Sequence, residues 1–168
     1  MNEGNSLRDL LWDSLLTADL NHRYHGTVSD YLQRWDKRAK IFVAIMSSTA
    51  VAGWAIWSNV GFSTVWTIAG GLAALVAIAQ PILDPARSIK TSGQLSGAWF
   101  SILRDYELLW TTVDDSDDNN IRERLVPIFA EEKRLTELET TLSKRKRLAR
   151  QCENEVRVSR GLDNNRVV

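Results

Sequence analysis

The sequence predicts an all-α membrane protein: a two-helix transmembrane hairpin extended into the cytosol, with a short N-terminal helix and a separate C-terminal helix. Three observations predict it. Residues 41–83 contain no Asp, Glu, Lys, Arg or His. A polar break, Ser58-Asn59-Val60-Gly61, divides that block near its middle. Each side then holds a segment of ~20 residues, the helical length that crosses a ~30 Å hydrocarbon core.

The elements follow in chain order. In residues 6–20, Leu7, Leu10, Leu11, Leu15 and Leu16 fall on one side of a short helix, with Ser6 placed to cap it. Gly26-Thr27 predicts a break, because Thr27 followed by Asp30 has the form of a capping box. A second helix from Val28 aligns Val28, Tyr31, Leu32 and Trp35 and meets no breaker before Ile41. The membrane segments are residues 41–60 and 62–83, joined by a link so short that they are antiparallel neighbours. Pro81 and Pro85 kink or end the second one. Beyond them Leu95, Trp99, Ile102, Tyr106, Leu109 and Val113 recur at three and four, an amphipathic helix that continues the second segment into solvent.

Residues 1–113 therefore form a two-transmembrane helical domain. Residues 114–120, Asp114-Asp115-Ser116-Asp117-Asp118-Asn119-Asn120, form an acidic linker. Residues 121–168 form a charged helix and tail, with Ile121, Leu125, Ile128, Leu135, Leu138 and Leu142 as a partial heptad seam interrupted by Glu132.

Charge sets the orientation. Arg34, Lys37, Arg38 and Lys40 precede the first segment, Arg87 and Lys90 follow the second, and the hairpin tip is uncharged. The positive-inside bias places both termini in the cytosol. Trp54, Trp57 and Trp66 then lie at the outer end and Trp35 at the inner end, where they serve as interfacial anchors or as ordinary packing. A soluble bundle is the competing fold, but it must bury two charge-free helices all round with the rest of a 168-residue chain.

Within the hairpin, Ala44, Ser48 and Ala52 form a small-residue row, and Ala69, Ala73 and Ala77 form another beside Gly70 and Ala74. Such rows let backbones approach closely in lipid, to close the hairpin or to join neighbouring protomers. No ionisable group lies at membrane depth, which argues against proton relays, voltage sensors and ion-coupled transport. A single hairpin encloses no pathway, so any pore is a homo-oligomer. Ser47, Thr49, Thr67 and Gln80 would line it, unless they and Ser48 act as interhelical glue.

Other chemistry is sparse. Net charge is zero, so no overall field draws in nucleic acid, and no direct nucleic-acid binding is expected. The single cysteine, Cys152, is read as a reduced surface thiol. His22 and His25 stand three apart, but no third ligand accompanies them. No phosphate loop, nucleophile elbow or triad is present, so no catalytic, metal or cofactor site and no enzyme activity is expected. The one concentrated basic run is Lys144, Arg145, Lys146 and Arg147, with Arg150. It contacts anionic lipid or an acidic partner, or it is a solvated helix face paired with Glu137, Glu139 and Glu153.

Three features together resemble the SLATT domain family, two-transmembrane effectors of bacterial conflict and defence systems. They are Asn21-His22-Arg23-Tyr24-His25 before the first membrane segment, the tight hairpin, and Ala98-Trp99-Phe100-Ser101-Ile102-Leu103-Arg104-Asp105-Tyr106 after the second. The resemblance covers residues 7–113. It implies an inner-membrane effector that forms pores when a partner signals infection, the partner being a nucleotide-synthesising or nucleotide-sensing protein or a reverse transcriptase. On that reading the C-terminal helix is the place for regulation. The alternatives are a non-conducting anchor that recruits a cytosolic partner through that helix, and a phage holin-like protein.

Overall fold

Helix α1 runs without interruption from Glu3 to Ile56, straight through the Gly26-Thr27 pair where the sequence predicts a break. In this computed structural model the described residues are all but 1–2, 57–67, 69–70, 73, 79–83, 115–116, 141 and 163–168, and the side chains of 3–6 and 46–56 are likewise not described. A lone glycine costs a helix only about 1 kcal/mol relative to alanine, which packing on either side outweighs. Gly26 also faces a close neighbour: a Cβ there would stand 3.2 Å from the Ser96 hydroxyl, which would have to shift by a few tenths of an ångström. Thr27 is not a cap but a helix-interior residue whose hydroxyl accepts from the Cys152 thiol.

Helix α2 spans Pro85–Thr112. It opens on a proline, whose missing N–H is no loss at a first helical position. Asp84 precedes it at φ 37°, a left-handed conformation that Asp tolerates, and its carboxylate accepts from the Arg87 N–H at 3.2 Å. α2 begins at Pro85, one of the two prolines at which the sequence predicts a kink or an end, and residues 79–83 before it lie outside the described residues. Helix α3 is Asp118–Glu139, with Asp117 at its N-cap position and Asp118 placing negative charge at the positive end of the helix dipole. Helix α4 is Lys146–Ser159. It closes in a Schellman motif: Gly161 at φ +69° donates to Val158 O, and Leu162 donates to Arg157 O at 2.8 Å.

Every regular element among the described residues is α-helical. The chain divides into two compact units, one of Met1–Val28 with Thr91–Val168 and the other of Ser29–Lys90. In the first unit a single core gathers Leu7, Leu11, Leu15 and Ala18 of α1, six residues of α2 from Leu95 to Leu109, and Ile121, Leu125 and Leu135 of α3. α4 adds buried Cys152 and Val156. The α2 stripe is the one the spacing predicts, with Val113 partly buried at its end. On α1 the buried stripe steps by four, four and three from Leu7, which leaves Leu10 exposed at its edge. On α3 the predicted seam is real at Ile121, Leu125 and Leu135, but Leu138 is exposed.

The expected separate C-terminal helix is corrected. Residues beyond the acidic linker form two helices, and both belong to the same unit as the start of α1. Cys152 is accordingly a buried residue and not a surface thiol. The short N-terminal helix is the first part of α1.

The second unit carries the charge-free block. Here α1 meets the start of α2 through the Ser29 hydroxyl, which donates to Ile89 O at 3.3 Å. Among the described residues no helix is long and apolar enough to cross a membrane. The charge-free stretch of α1 is described only to Ile56, and beyond it Ile68, Gly71, Leu72 and residues 74–78 are described as helical. The hairpin tip and most of the second predicted segment lie outside the described residues.

Candidate functional site

Four helices of the first unit are fastened by a network of polar groups built around buried Asp19 and His25 of α1. Asp19, 2% exposed, sits just past the Leu11–Leu15–Ala18 stripe and so points toward the core. Its carboxylate accepts from Arg23 Nε at 2.6 Å and from Arg160 Nε at 2.9 Å. Arg160 reaches on to Glu107 of α2 at 3.1 Å, and Arg23 donates to the Ser159 hydroxyl at the end of α4. Burial alone would raise the Asp19 pKa, but the hydrogen bonds and charges of Arg23 and Arg160 outweigh it and hold the carboxyl below its ordinary range.

Within the next two turns of α1 the pair His22 and His25 separates. His22 Nδ1 lies 3.0 Å from Ser96 O of α2, and its ring packs on Phe100 at 5.0 Å between centroids. The Ser96 hydroxyl returns a hydrogen bond to His22 O at 3.0 Å. His25, fully buried, directs Nε2 to Glu139 at the end of α3, 2.9 Å away. The same carboxylate oxygen accepts from Trp99 Nε1 at 2.7 Å, so one residue ties α1, α2 and α3 together. Burial would raise the Glu139 pKa, yet His25, Trp99 and nearby Lys144 lower it overall. The two histidines thus serve different helices, and no group of three ligating side chains occurs among the described residues.

A third polar contact is costly. Glu132, the residue that interrupts the α3 seam, has its pKa raised by burial, which its interaction with Tyr106 only partly offsets. Burial and the neighbouring Glu132 push the Tyr106 hydroxyl upward against a smaller lowering by Ser14, and the hydroxyl approaches both residues without meeting full hydrogen-bond geometry. A carboxyl whose folded pKa is raised opposes folding when charged and ceases to do so once protonated in both states. Glu132→Gln should therefore raise the thermal midpoint at neutral pH. The gain should shrink as pH falls through the raised pKa and vanish below the ordinary carboxylate range, as melts followed by circular dichroism would show.

The basic run occupies the α3–α4 loop and the start of α4. Leu142 N–H donates to Glu139 O at 2.9 Å, and the Arg145 N–H donates to the Tyr24 hydroxyl at 2.8 Å, which pins the loop to α1. Arg145 is half-buried at the N-cap position, whereas Lys144, Lys146, Arg147 and Arg150 are exposed. Of the acids the sequence offers as partners, Glu139 binds His25 and Trp99 while Lys144 of the basic run lowers its pKa through charge, and Glu153 pairs with Arg157 at 3.0 Å. Among the described residues no carboxylate is within ion-pair distance of Lys146, Arg147 or Arg150. Cations at a helix N-terminus cost about 0.3–1 kcal/mol each, so fold stability does not account for them.

Of the predicted packing residues, Ala44, Ala74 and Ala77 are exposed. Ser48 and Ala52 lie on α1, as do the predicted pore-lining Ser47 and Thr49, all with side chains that are not described. Ala69, Gly70, Ala73, Thr67 and Gln80 lie outside the described residues. Sequence reasoning missed Asp19, Glu107, Glu139 and Arg160. The one available signal was Asp19, an acid four residues past Leu15 on an otherwise apolar stripe.

No family model matches this chain, and neither the curated proteins nor the solved structures contain a match.

Proposed function

We propose that the chain is a pore-forming effector of a bacterial defence system, set in the inner membrane as a homo-oligomer with both termini cytoplasmic. The observation that carries this is what the charge-free block does with its large side chains. Ile45, Ile68, Leu72, Leu75 and Ile78 are between 52% and 65% exposed. In a soluble bundle such residues would be covered, because burying each one fully is worth about 1.5–3 kcal/mol. Left uncovered by their own chain, they suit lipid or other copies. On a helix Ile68, Leu72 and Leu75 form one stripe, and Ala69, Ala73 and Ala77 with Gly70 and Ala74 form the opposite face. That division supports large side chains against lipid and small ones against a neighbouring protomer. The resemblance to the SLATT family supports the same reading and brings a nucleotide-signalling or reverse-transcriptase partner as the trigger.

A voltage-sensitive dye in bacteria expressing the chain tests it, with membrane fractions assayed in parallel. The chain should depolarise the cells, and Ala74→Leu with Ala77→Leu should abolish depolarisation while the protein stays in the membrane. Membrane retention without depolarisation by either form would favour the non-conducting anchor. Recovery in the soluble fraction would overturn the membrane reading itself.

A further inference from the structure

We infer that the outward face of α4 is a docking surface for anionic phospholipid, an inference that rests on the membrane reading above. On a helix Arg147, Arg150, Gln151, Asn154 and Val158 project to one side, and no carboxylate stands among them. Lys144 and Lys146 flank its start. Of the acids of α4, Glu153 lies off this face and pairs with Arg157, while Glu155 borders it and accepts from Gln151 at 3.0 Å. The face is also held in place. Cys152 and Val156 on the opposite side are buried in the core, and the loop before it is fixed by Tyr24 and Glu139.

The chemistry of this face selects a lipid surface over a protein. Protein interfaces are anchored by aromatic or aliphatic side chains seated in pockets. Here the apolar side of the helix is already used, and what faces outward at the basic end is charge alone. A diffuse anionic surface needs nothing more, since each Lys or Arg near it strengthens association about fivefold. Lys146, Arg147 and Arg150, exposed and with no carboxylate in ion-pair distance among the described residues, are charge-complementary to such a leaflet.

The test uses the full chain in nanodiscs of phosphatidylcholine alone or of an equal mixture with phosphatidylglycerol. Ser143, exposed beside the cluster, is replaced (Ser143→Cys) and labelled with a fluorophore, while Cys152 is fully buried. Quenching by a lipid-borne quencher should appear with phosphatidylglycerol and fall with added salt. Lys146→Glu with Arg147→Glu and Arg150→Glu should reduce it by roughly tenfold or more. Circular dichroism checks that this variant keeps its helices. Equal quenching in both lipids, no quenching in either, or quenching that survives charge reversal would each overturn the inference while leaving the membrane reading intact. Failure of the chain to enter nanodiscs at all would instead overturn the membrane reading, and the inference with it.

Discussion

Replacing Asp19 by alanine should lower the thermal midpoint of the helical unit by about 10 °C, corresponding to about 3 kcal/mol. Asp19 is 2% exposed and accepts from two guanidinium groups, one four residues away and one 141 residues away. Without it Arg160 keeps Glu107, but Arg23 keeps only the Ser159 hydroxyl, and two cations are left facing each other. The informative control is Arg8→Ala. Arg8 pairs with Asp114, and both partners are well exposed, so that loss should cost less than about 1 kcal/mol.

The same substitution should change the pH profile. A carboxyl whose folded pKa is lowered contributes stability that is fully present above its unfolded pKa. That stability is lost as pH falls through the folded value. Asp19 and Glu139 both act in this sense, in the acid range at and below ordinary carboxylate values. Asp19→Ala should therefore flatten the acid limb of the stability curve, leaving the part that Glu139 supplies. An unchanged acid limb would show that the Asp19 cluster holds no linkage with folding.

Deleting residues 121–168 should unfold the first unit and not merely free it from control. The deletion removes Ile121, Leu125, Leu135, Cys152 and Val156 from the core, takes Arg160 from Asp19 and takes Glu139 from His25 and Trp99. Burying an aliphatic side chain is worth about 1.5–3 kcal/mol, so losing five buried side chains rivals the 5–15 kcal/mol of a whole domain. Limited proteolysis should find α1 cut near Leu15 in the truncated chain and protected in the full one. If the truncated chain remains protected there, α3 and α4 are accessory. A truncation of this kind is a poor way to separate a pore from an anchor, and for that question the Ala74 and Ala77 substitutions are the cleaner choice.

The sequence revealed what local pattern encodes. The α2 stripe from Leu95 to Leu109 was legible because five large apolar residues repeat at spacings of three and four within one element, and the structure adds Leu103. All-α character was legible for the same reason. The continuity of α1 was not, since Gly26 looks like punctuation until Ser96 is seen against it. The place of α3 and α4 was hidden because α4 buries little, chiefly Cys152 and Val156, amid a heavily charged surface. Ties such as His25 to Glu139, 114 residues apart, leave no local trace. Nothing in the spacing of either residue announces the other.

The burial of Cys152 gives the chain a built-in clock. Its thiol is 0% exposed, donates to the Thr27 hydroxyl, and is pushed above its ordinary pKa by burial, so little thiolate is available in the folded state. Alkylation then waits for α4 to lift away from α1. With reagent in excess, the labelling rate measures how often that opening occurs, and its pH and temperature dependence report local stability. The natural sequence is therefore, to a thiol reagent, a cysteine-free protein while it is folded and a single-cysteine protein when it opens.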